Sequence, residues 1–286
     1  MDKNNETENE ILILFLFLTM TKIISILLRR FGLIKPADKI RFYILFLRTY
    51  KSRREFKKKN PEVKLPPPFY LYETFNLNYD SFFNKSIDTA EWLVSYFKKY
   101  KTLNGLKILD WGCGPGRVVR HLPLLINNDC QFYGTDYNKK YIDWCKKNIP
   151  DVCFSLNELQ PPLKFENNTF EIIYGISVFT HLSEKMHFLW FDELLRILKP
   201  GGILFITLQG DAFTNKLTDN EKFRYDKGDL VVKSNTKEGH RTYASFHPSL
   251  FVERLIQKNK ILEHKPGSVK NNKPEQDIWI VKKCKG

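Results

Sequence analysis

The spacing of apolar positions along this chain changes several times, and each change marks an element. Ile11 to Leu28 (ILILFLFLTMTKIISILL) is an apolar run with one charge, Lys22. As a helix it spans about 27 Å, against a bilayer hydrocarbon core of roughly 30 Å. Arg29, Arg30 and Lys35 follow, then an apolar patch, Phe42 to Leu47, and a basic run from Arg48 to Lys59. Pro61 to Pro68 (PEVKLPPP) reads as a stiff linker, which divides a hydrophobic and basic helical extension, residues 1–60, from a main domain, residues 61–286. An aromatic segment, Phe69 to Phe83, covers a substrate mouth or pads a sheet edge. Ser86 or Asp88 then opens a helix that carries Ile87, Trp92, Leu93, Tyr96 and Phe97 toward a core.

Beyond residue 105 the pattern alternates. Strands are expected at 106–111, 131–135, 151–155, 170–175 and 202–208, with helices at 117–126, 138–147 and 183–198. Such alternation gives an α/β fold, a parallel sheet with helices on both faces. The turn Lys199-Pro-Gly-Gly202 stops the last of these helices. Residues 209–240 are polar and loop-rich, an insertion over the site. A strand at 240–246, a helix at 249–258 and a closing pair at 260–265 and 276–283 complete the chain.

The chemistry concentrates after the first strand of this series. Ile108 and Leu109 lead into Asp110, and the chain then breaks into Gly112, Gly114 and Gly116, with Cys113 between the first two. Glycines let a ligand approach the backbone closely, and a helix opening at Arg117 turns N–H groups toward it. A carboxylate at the strand tip repels a pyrophosphate but attracts an ammonium or sulfonium group, which favours S-adenosylmethionine over a dinucleotide. The next strand ends in Asp136, twenty positions after Gly116, where a carboxylate suits both hydroxyls of a ribose. Tyr137 beside it suits an adenine face. The glycines follow G-x-G-x-G rather than the dinucleotide pattern G-x-G-x-x-G.

Residues 106–208 resemble a class I S-adenosylmethionine-dependent methyltransferase. The matching pieces are ILDWGCGPGRVVRHL, YGTDYNKKYIDWC, NNTFEIIYGISVFTHL and LRILKPGGILFITLQG, and the likeness continues through YASFHPSLFVERL and QDIWIVKK. It implies a Rossmann-like, seven-stranded, mostly parallel sheet whose last strand is antiparallel. It also implies S-adenosyl-L-methionine as cofactor and methyl transfer as the activity. Within the family the chain is similar to bacterial enzymes that modify small molecules or surface glycans.

Composition adds constraints on partners and compartment. The net charge is +14, and residues 1–60 hold 14 Lys/Arg against 6 Asp/Glu, so more than half of the excess lies outside the expected catalytic fold. A basic arm beside an apolar run points to a membrane surface ahead of nucleic acid. The acidic start and the absence of a small-residue cleavage site argue against a secretory signal. Residues 11–28 are then a short membrane anchor, part of an interfacial helix pair, or helices packed on the domain or a partner. Membrane association is the favoured reading, with the catalytic side in the cytoplasm because of the basic flank. The five cysteines form no C-x-x-C pair, which argues against disulfides and structural zinc and for a reducing compartment; no metal site is expected.

The expected cofactor contacts are Asp110 toward the amino-acid ammonium and the backbone around Gly112, Cys113, Gly114 and Gly116. Asp136 and Tyr137 follow on the nucleoside, then Asn157 and Glu158 after the third strand and Ser177 after the fourth. His181 is the candidate general base, since a hydroxyl acceptor needs one and imidazole titrates near neutrality. His240 and His247 flank the loop-rich stretch and are weaker candidates. No Asn- or Asp-Pro-Pro-aromatic motif follows Tyr174. Family members that methylate exocyclic base amines usually carry one, and the Pro-Cys nucleophile used on cytosine carbon is also missing. The reading is O-methylation of a small molecule or glycan precursor. The alternatives are an RNA methyltransferase and a non-catalytic scaffold that binds the cofactor.

Overall fold

The computed structural model describes residues 34–126, 129–233, 236–240 and 242–284. The apolar run 11–28, expected to attach to a membrane, lies outside the described residues. The chain divides into two compact units after Tyr79, downstream of the proline-rich stretch.

In the first unit, α1 (Ile34–Arg48), α2 (Tyr50–Lys59) and α3 (Pro68–Phe75) pack through aromatic rings. Phe42 lies edge-on to Phe69 and Tyr72, with centroids 5.4 and 5.5 Å away. The Tyr72 hydroxyl donates to Asp38 Oδ1 at 2.5 Å. Arg53 is buried; it donates to the Phe46 carbonyl at 2.5 Å and lies 3.9 Å over that ring. Among the described residues no helix is long and apolar enough to cross a membrane.

The second unit opens with α4 (Tyr79–Tyr100), which starts seven residues earlier than Ser86 because the end of the aromatic segment is itself helical. Next come β1 (Lys107–Trp111), a 3-10 turn at Val119–His121, α5 (Leu122–Leu125), β2 (Gln131–Asp136), α6 (Lys139–Asn148), β3 (Cys153–Leu156) and β4 (Phe170–Ile176). After a second 3-10 turn, Phe179–His181, the chain forms α7 (Glu184–Ile197), β5 (Leu198–Leu208), a third 3-10 turn (Asp211–Lys216), α8 (Asp219–Asp226), β6 (Val231–Lys233) and β7 (Ala244–Phe246). It ends in α9 (Ser249–Ile256), β8 (Lys260–Lys265), a small pair β9 (Val269–Lys270) and β10 (Lys273–Pro274), and β11 (Asp277–Lys282).

Seven strands form one sheet in the order β3-β2-β1-β4-β5-β11-β8, parallel from β3 to β5, with β11 antiparallel to both neighbours. The order reverses between β1 and β4, and a crevice opens at the carboxyl ends of strands at such a point. Strand alternation sorts the core. Ile108, Ile172, Ile203 and Phe205 face α4 and α6, while Leu109, Ile173, Leu204 and Ile206 face α7 and α9. Asp110 pairs with Tyr174 across β1 and β4, and with Gly134 across β1 and β2.

Two expectations fail locally. Residues 117–126 are not one helix; turns lead into the short 3-10 segment and a single α turn with Pro123 near its start. Proline supplies no N–H and is tolerated only in a first turn, so a helix cannot run through it from Arg117. The stretch 209–240 also carries more structure than a loop, since it contains α8, closed by a Thr218–Glu221 capping box, and β6, which pairs with β7.

Leu204 is fully buried, whereas Leu124 is 82% exposed. Leu204→Ala is expected to cost about 2–5 kcal/mol and Leu124→Ala within about 0.5 kcal/mol, read as shifts of the urea midpoint at constant slope.

Candidate functional site

The turn after β1 is held from the neighbouring strand. The N–H groups of Gly112 and Cys113 both donate to the Thr135 carbonyl, at 2.8 and 3.0 Å. The Gly114 N–H donates to Asp136 Oδ2 at 2.9 Å, and the Asn138 N–H to Asp136 Oδ1 at 2.7 Å. Asn138 then caps α6 by accepting from the Lys140 N–H. These three donors of the turn are spent inside the protein, so they are not offered to a pyrophosphate. With no long helix opening at Arg117, the helix-terminus argument for anion binding falls as well.

The glycines differ in what they do. All three have positive φ: 76° at Gly112, 53° at Gly114 and 70° at Gly116. A Cβ on Gly112 would meet Val178 at 2.5 Å and one on Gly116 would meet Ile149 at 2.6 Å, so both are also required for packing. A Cβ on Gly114 would meet nothing within 4 Å, so open space adjoins the turn there. The Cys113 side chain is buried in the core, and only its backbone faces the turn.

Two carboxylates near the ends of β1 and β2, Asp110 and Asp136, are buried. Burial pushes Asp110 up to about 7, against the opposing pull of the Tyr174 hydroxyl and the Arg117 charge. The Tyr174 hydroxyl is buried with no partner at full hydrogen-bond geometry, so its influence on Asp110 is that of a nearby dipole. Burial also pushes Asp136 up to about 6, less far because two backbone N–H groups hold its ionised form. Tyr137 is 47% exposed, and its hydroxyl donates to the Gly239 carbonyl at 2.9 Å. Asn157 accepts from the Thr135 hydroxyl at 2.6 Å, and its N–H donates to the Asp136 carbonyl at 3.2 Å, which places it beside Asp136. Glu158 is exposed, next to Asn157.

The carboxyl end of β4 forms a second cluster. Ser177 has φ 64°, its N–H donates to Thr207 Oγ1 at 2.9 Å, and its hydroxyl meets Thr180 and Gln276 at 3.0 and 2.8 Å. Those bonds tie Ser177 toward β5 and β11. His181 Nδ1 lies 2.8 Å from the Tyr243 carbonyl, which accepts only, so Nδ1 carries the proton and Nε2 a lone pair. Burial lowers its pKa and keeps the ring neutral.

A strap crosses between the two clusters. The Gly239 N–H donates to the His181 carbonyl at 2.9 Å while the Gly239 carbonyl accepts from Tyr137, and Glu238 accepts from the Ser183 N–H. His240 in the strap is exposed and bonded to Thr242. His247, in the short link between β7 and α9, is buried, with Nε2 2.9 Å from Nε2 of buried His187. His187 donates from Nδ1 to the Ser183 carbonyl, so its Nε2 accepts from His247 and leaves His247 Nδ1 buried and unpaired. Neither histidine of this pair is available as a base. Tyr174, Thr135 and His187 are not among the residues expected at the site. For Tyr174 a signal existed, since a phenol two positions after buried Ile172 shares the face of Asp110.

Comparisons with known proteins agree with this geometry. A family model described as a methyltransferase domain matches residues 108–202. A sterol 24-C-methyltransferase of Schizosaccharomyces pombe is 25% identical over 151 residues, 50% of this chain and 38% of that protein. The ubiquinone/menaquinone biosynthesis C-methyltransferase of Wigglesworthia glossinidia brevipalpis is 30% identical over 105 residues, 35% of this chain and 41% of that protein. O-methyltransferase 3 of Dictyostelium discoideum is 28% identical over 137 residues, 43% of this chain and 31% of that protein. The chain thus spans well under half the length of these relatives, and they are not confined to bacteria. A SAM-dependent methyltransferase from Methanosarcina mazei shares the fold with TM-score 0.52 at 17% identity, over 66% of this chain and 97% of that one. Magnesium protoporphyrin IX methyltransferase from Synechocystis PCC 6803 does so at 0.50 and 13%, over 83% and 96%. Sheet order, acid-tipped glycine turn and sequence match agree: residues 108–202 are a methyltransferase domain, in a chain with the fold of the class I S-adenosylmethionine-dependent methyltransferases.

Proposed function

We propose that this chain transfers a methyl group from S-adenosyl-L-methionine to oxygen of a small molecule or glycan precursor. The observation that carries the cofactor reading is the pair of buried carboxylates near the ends of β1 and β2, of which Asp136 holds the turn at Gly114, where the backbone adjoins open space. Asp136, already oriented by two N–H groups, retains lone pairs for the two ribose hydroxyls, with Asn157 beside it. Tyr137 supplies an aromatic face. Asp110 and Arg117 together offer opposite charges to the ammonium and carboxylate of an amino acid. The bound cofactor supplies an electrophilic methyl group on sulfonium, and the protein's task is then alignment and exclusion of water.

Arguments about the acceptor come from the β4 end. The names of the relatives divide between carbon and oxygen acceptors, so they do not choose the atom. His181 favours oxygen: a neutral imidazole, anchored through Nδ1 with a lone pair on Nε2, is suited to take a hydroxyl proton. In this proposal residues 61–286 are the catalytic domain, and residues 11–28 attach it to the cytoplasmic face of a membrane.

Calorimetric titration of the full chain with S-adenosylhomocysteine tests the reading. Asp136→Ala is expected to weaken binding by about 10–100-fold, the usual loss for hydrogen bonds to a charged group; a folded variant with unchanged affinity refutes the assignment. Because Asp110 sits near 7 in the empty protein and a bound ammonium favours its ionised form, affinity should fall as pH drops below about 7, approaching tenfold per unit. Binding should release up to one proton over that same range below about 7 and none well above it, and Asp110→Asn should bind weakly at every pH without the slope. With a hydroxyl acceptor, His181→Asn should lower kcat by about 10²–10⁴ while leaving cofactor affinity intact.

A further inference from the structure

The outer face of α1 is apolar and uncovered. Ile40, Tyr43, Ile44 and Leu47 recur at the i, i+3, i+4, i+7 spacing of one helical face and are 61%, 63%, 45% and 74% exposed. The other side of the helix is committed to its own unit, through Phe42 on Phe69 and Tyr72 and through Asp38 on Tyr72. Tyr50, at the start of α2, is 57% exposed and extends the apolar surface by one turn.

Positive charge frames this stripe. Lys39, Arg41 and Arg48 on α1, and Lys51, Arg54, Lys57, Lys58 and Lys59 on α2, are all exposed. Residues 34–59 hold ten Lys/Arg against Asp38 and Glu55 alone. An occupant must therefore be apolar in its interior and anionic at its surface. Nucleic acid offers phosphates but no apolar layer for four aligned side chains. A bilayer with anionic headgroups offers both, at the depth a surface helix reaches.

We propose that α1 lies in the headgroup layer of an anionic membrane, with Ile40, Tyr43, Ile44 and Leu47 inserted and the exposed lysines and arginines of α1 and α2 on the lipid phosphates. This surface is separate from residues 11–28 and does not rest on the methyltransferase reading.

Flotation of the full chain with phosphatidylcholine vesicles, with and without phosphatidylglycerol, tests it. To remove any contribution of the upstream run, the chain first carries Leu14→Glu and Leu16→Glu. That chain is expected to float with anionic vesicles and not with neutral ones. Adding Ile44→Glu and Leu47→Glu should lower the bound fraction about tenfold. Raising salt from about 0.1 to about 1 M, which shortens the screening length from about 10 to about 3 Å, should do the same. The proposal is overturned if the Leu14/Leu16 variant no longer floats, if the stripe variant floats undiminished, or if neutral vesicles bind equally well. A Tm drop of more than about 5 °C on adding the stripe charges would show the face to be covered within the protein, and would also overturn it. The S-adenosylhomocysteine titration should be the same in all variants, so failure of either idea is seen separately.

Discussion

Keeping two carboxylates out of water at the ends of adjacent strands is the constraint around which the second unit is organised. An isolated buried carboxylate is costly, and Asp136 persists because the Gly114 and Asn138 N–H groups are aimed at it. That requirement explains the turn. Gly114 takes a left-handed backbone, Gly112 and Cys113 spend their N–H groups on Thr135, and the chain leaves β1 without a helix to follow. Asp110 has fewer compensations, and its proton is correspondingly harder to remove.

The two faces of the sheet share this work unequally. On the side of Trp111, apolar packing is dense: its ring lies 4.9 Å from Phe179 and 5.0 Å from Trp190, and a Cβ on Gly175 would come within 2.8 Å of it. On the side of Asp110 the core admits Tyr174, a phenol whose oxygen finds no full partner. Unpaired buried polar atoms nevertheless occur on both faces: the Tyr174 hydroxyl on this one, and His247 Nδ1 and Trp279 Nε1 on the side of Trp111. Unsatisfied buried polar atoms are rare in folded proteins and call for a reason.

Strand periodicity and turn residues made the sheet legible in the sequence. The strands from β1 to β5, α6, α7, α9 and the closing pair were expected within a few residues. The departures have local causes. Pro123 interrupts what the apolar spacing of 117–126 suggested, and the aromatic segment before Ser86 extends α4 instead of forming a separate cover. At the site, the carboxylates and glycines could be read because strand ends and turns leave a mark on residue type. The His187–His247 pair could not, because it joins positions sixty residues apart through nitrogens whose protonation depends on Ser183 and on burial. Ser177 was legible as a position after β4, but its attachment to Thr207 and Gln276 depends on the antiparallel placement of β11.

The strap at Gly239 has a kinetic meaning. Its bonds to Tyr137, His181 and Ser183 join the loop after β2 to the turn after β4, and they belong to one short segment. For a ligand that passed between Tyr137 and His181, entry would await the joint rupture of these bonds, a local opening whose frequency is set by the protein and not by the ligand. Arrival and departure would then be slowed by the same factor, which cancels from the equilibrium constant. Residence time would be lengthened in proportion to how seldom the strap lifts, by the same factor for a weak ligand as for a tight one.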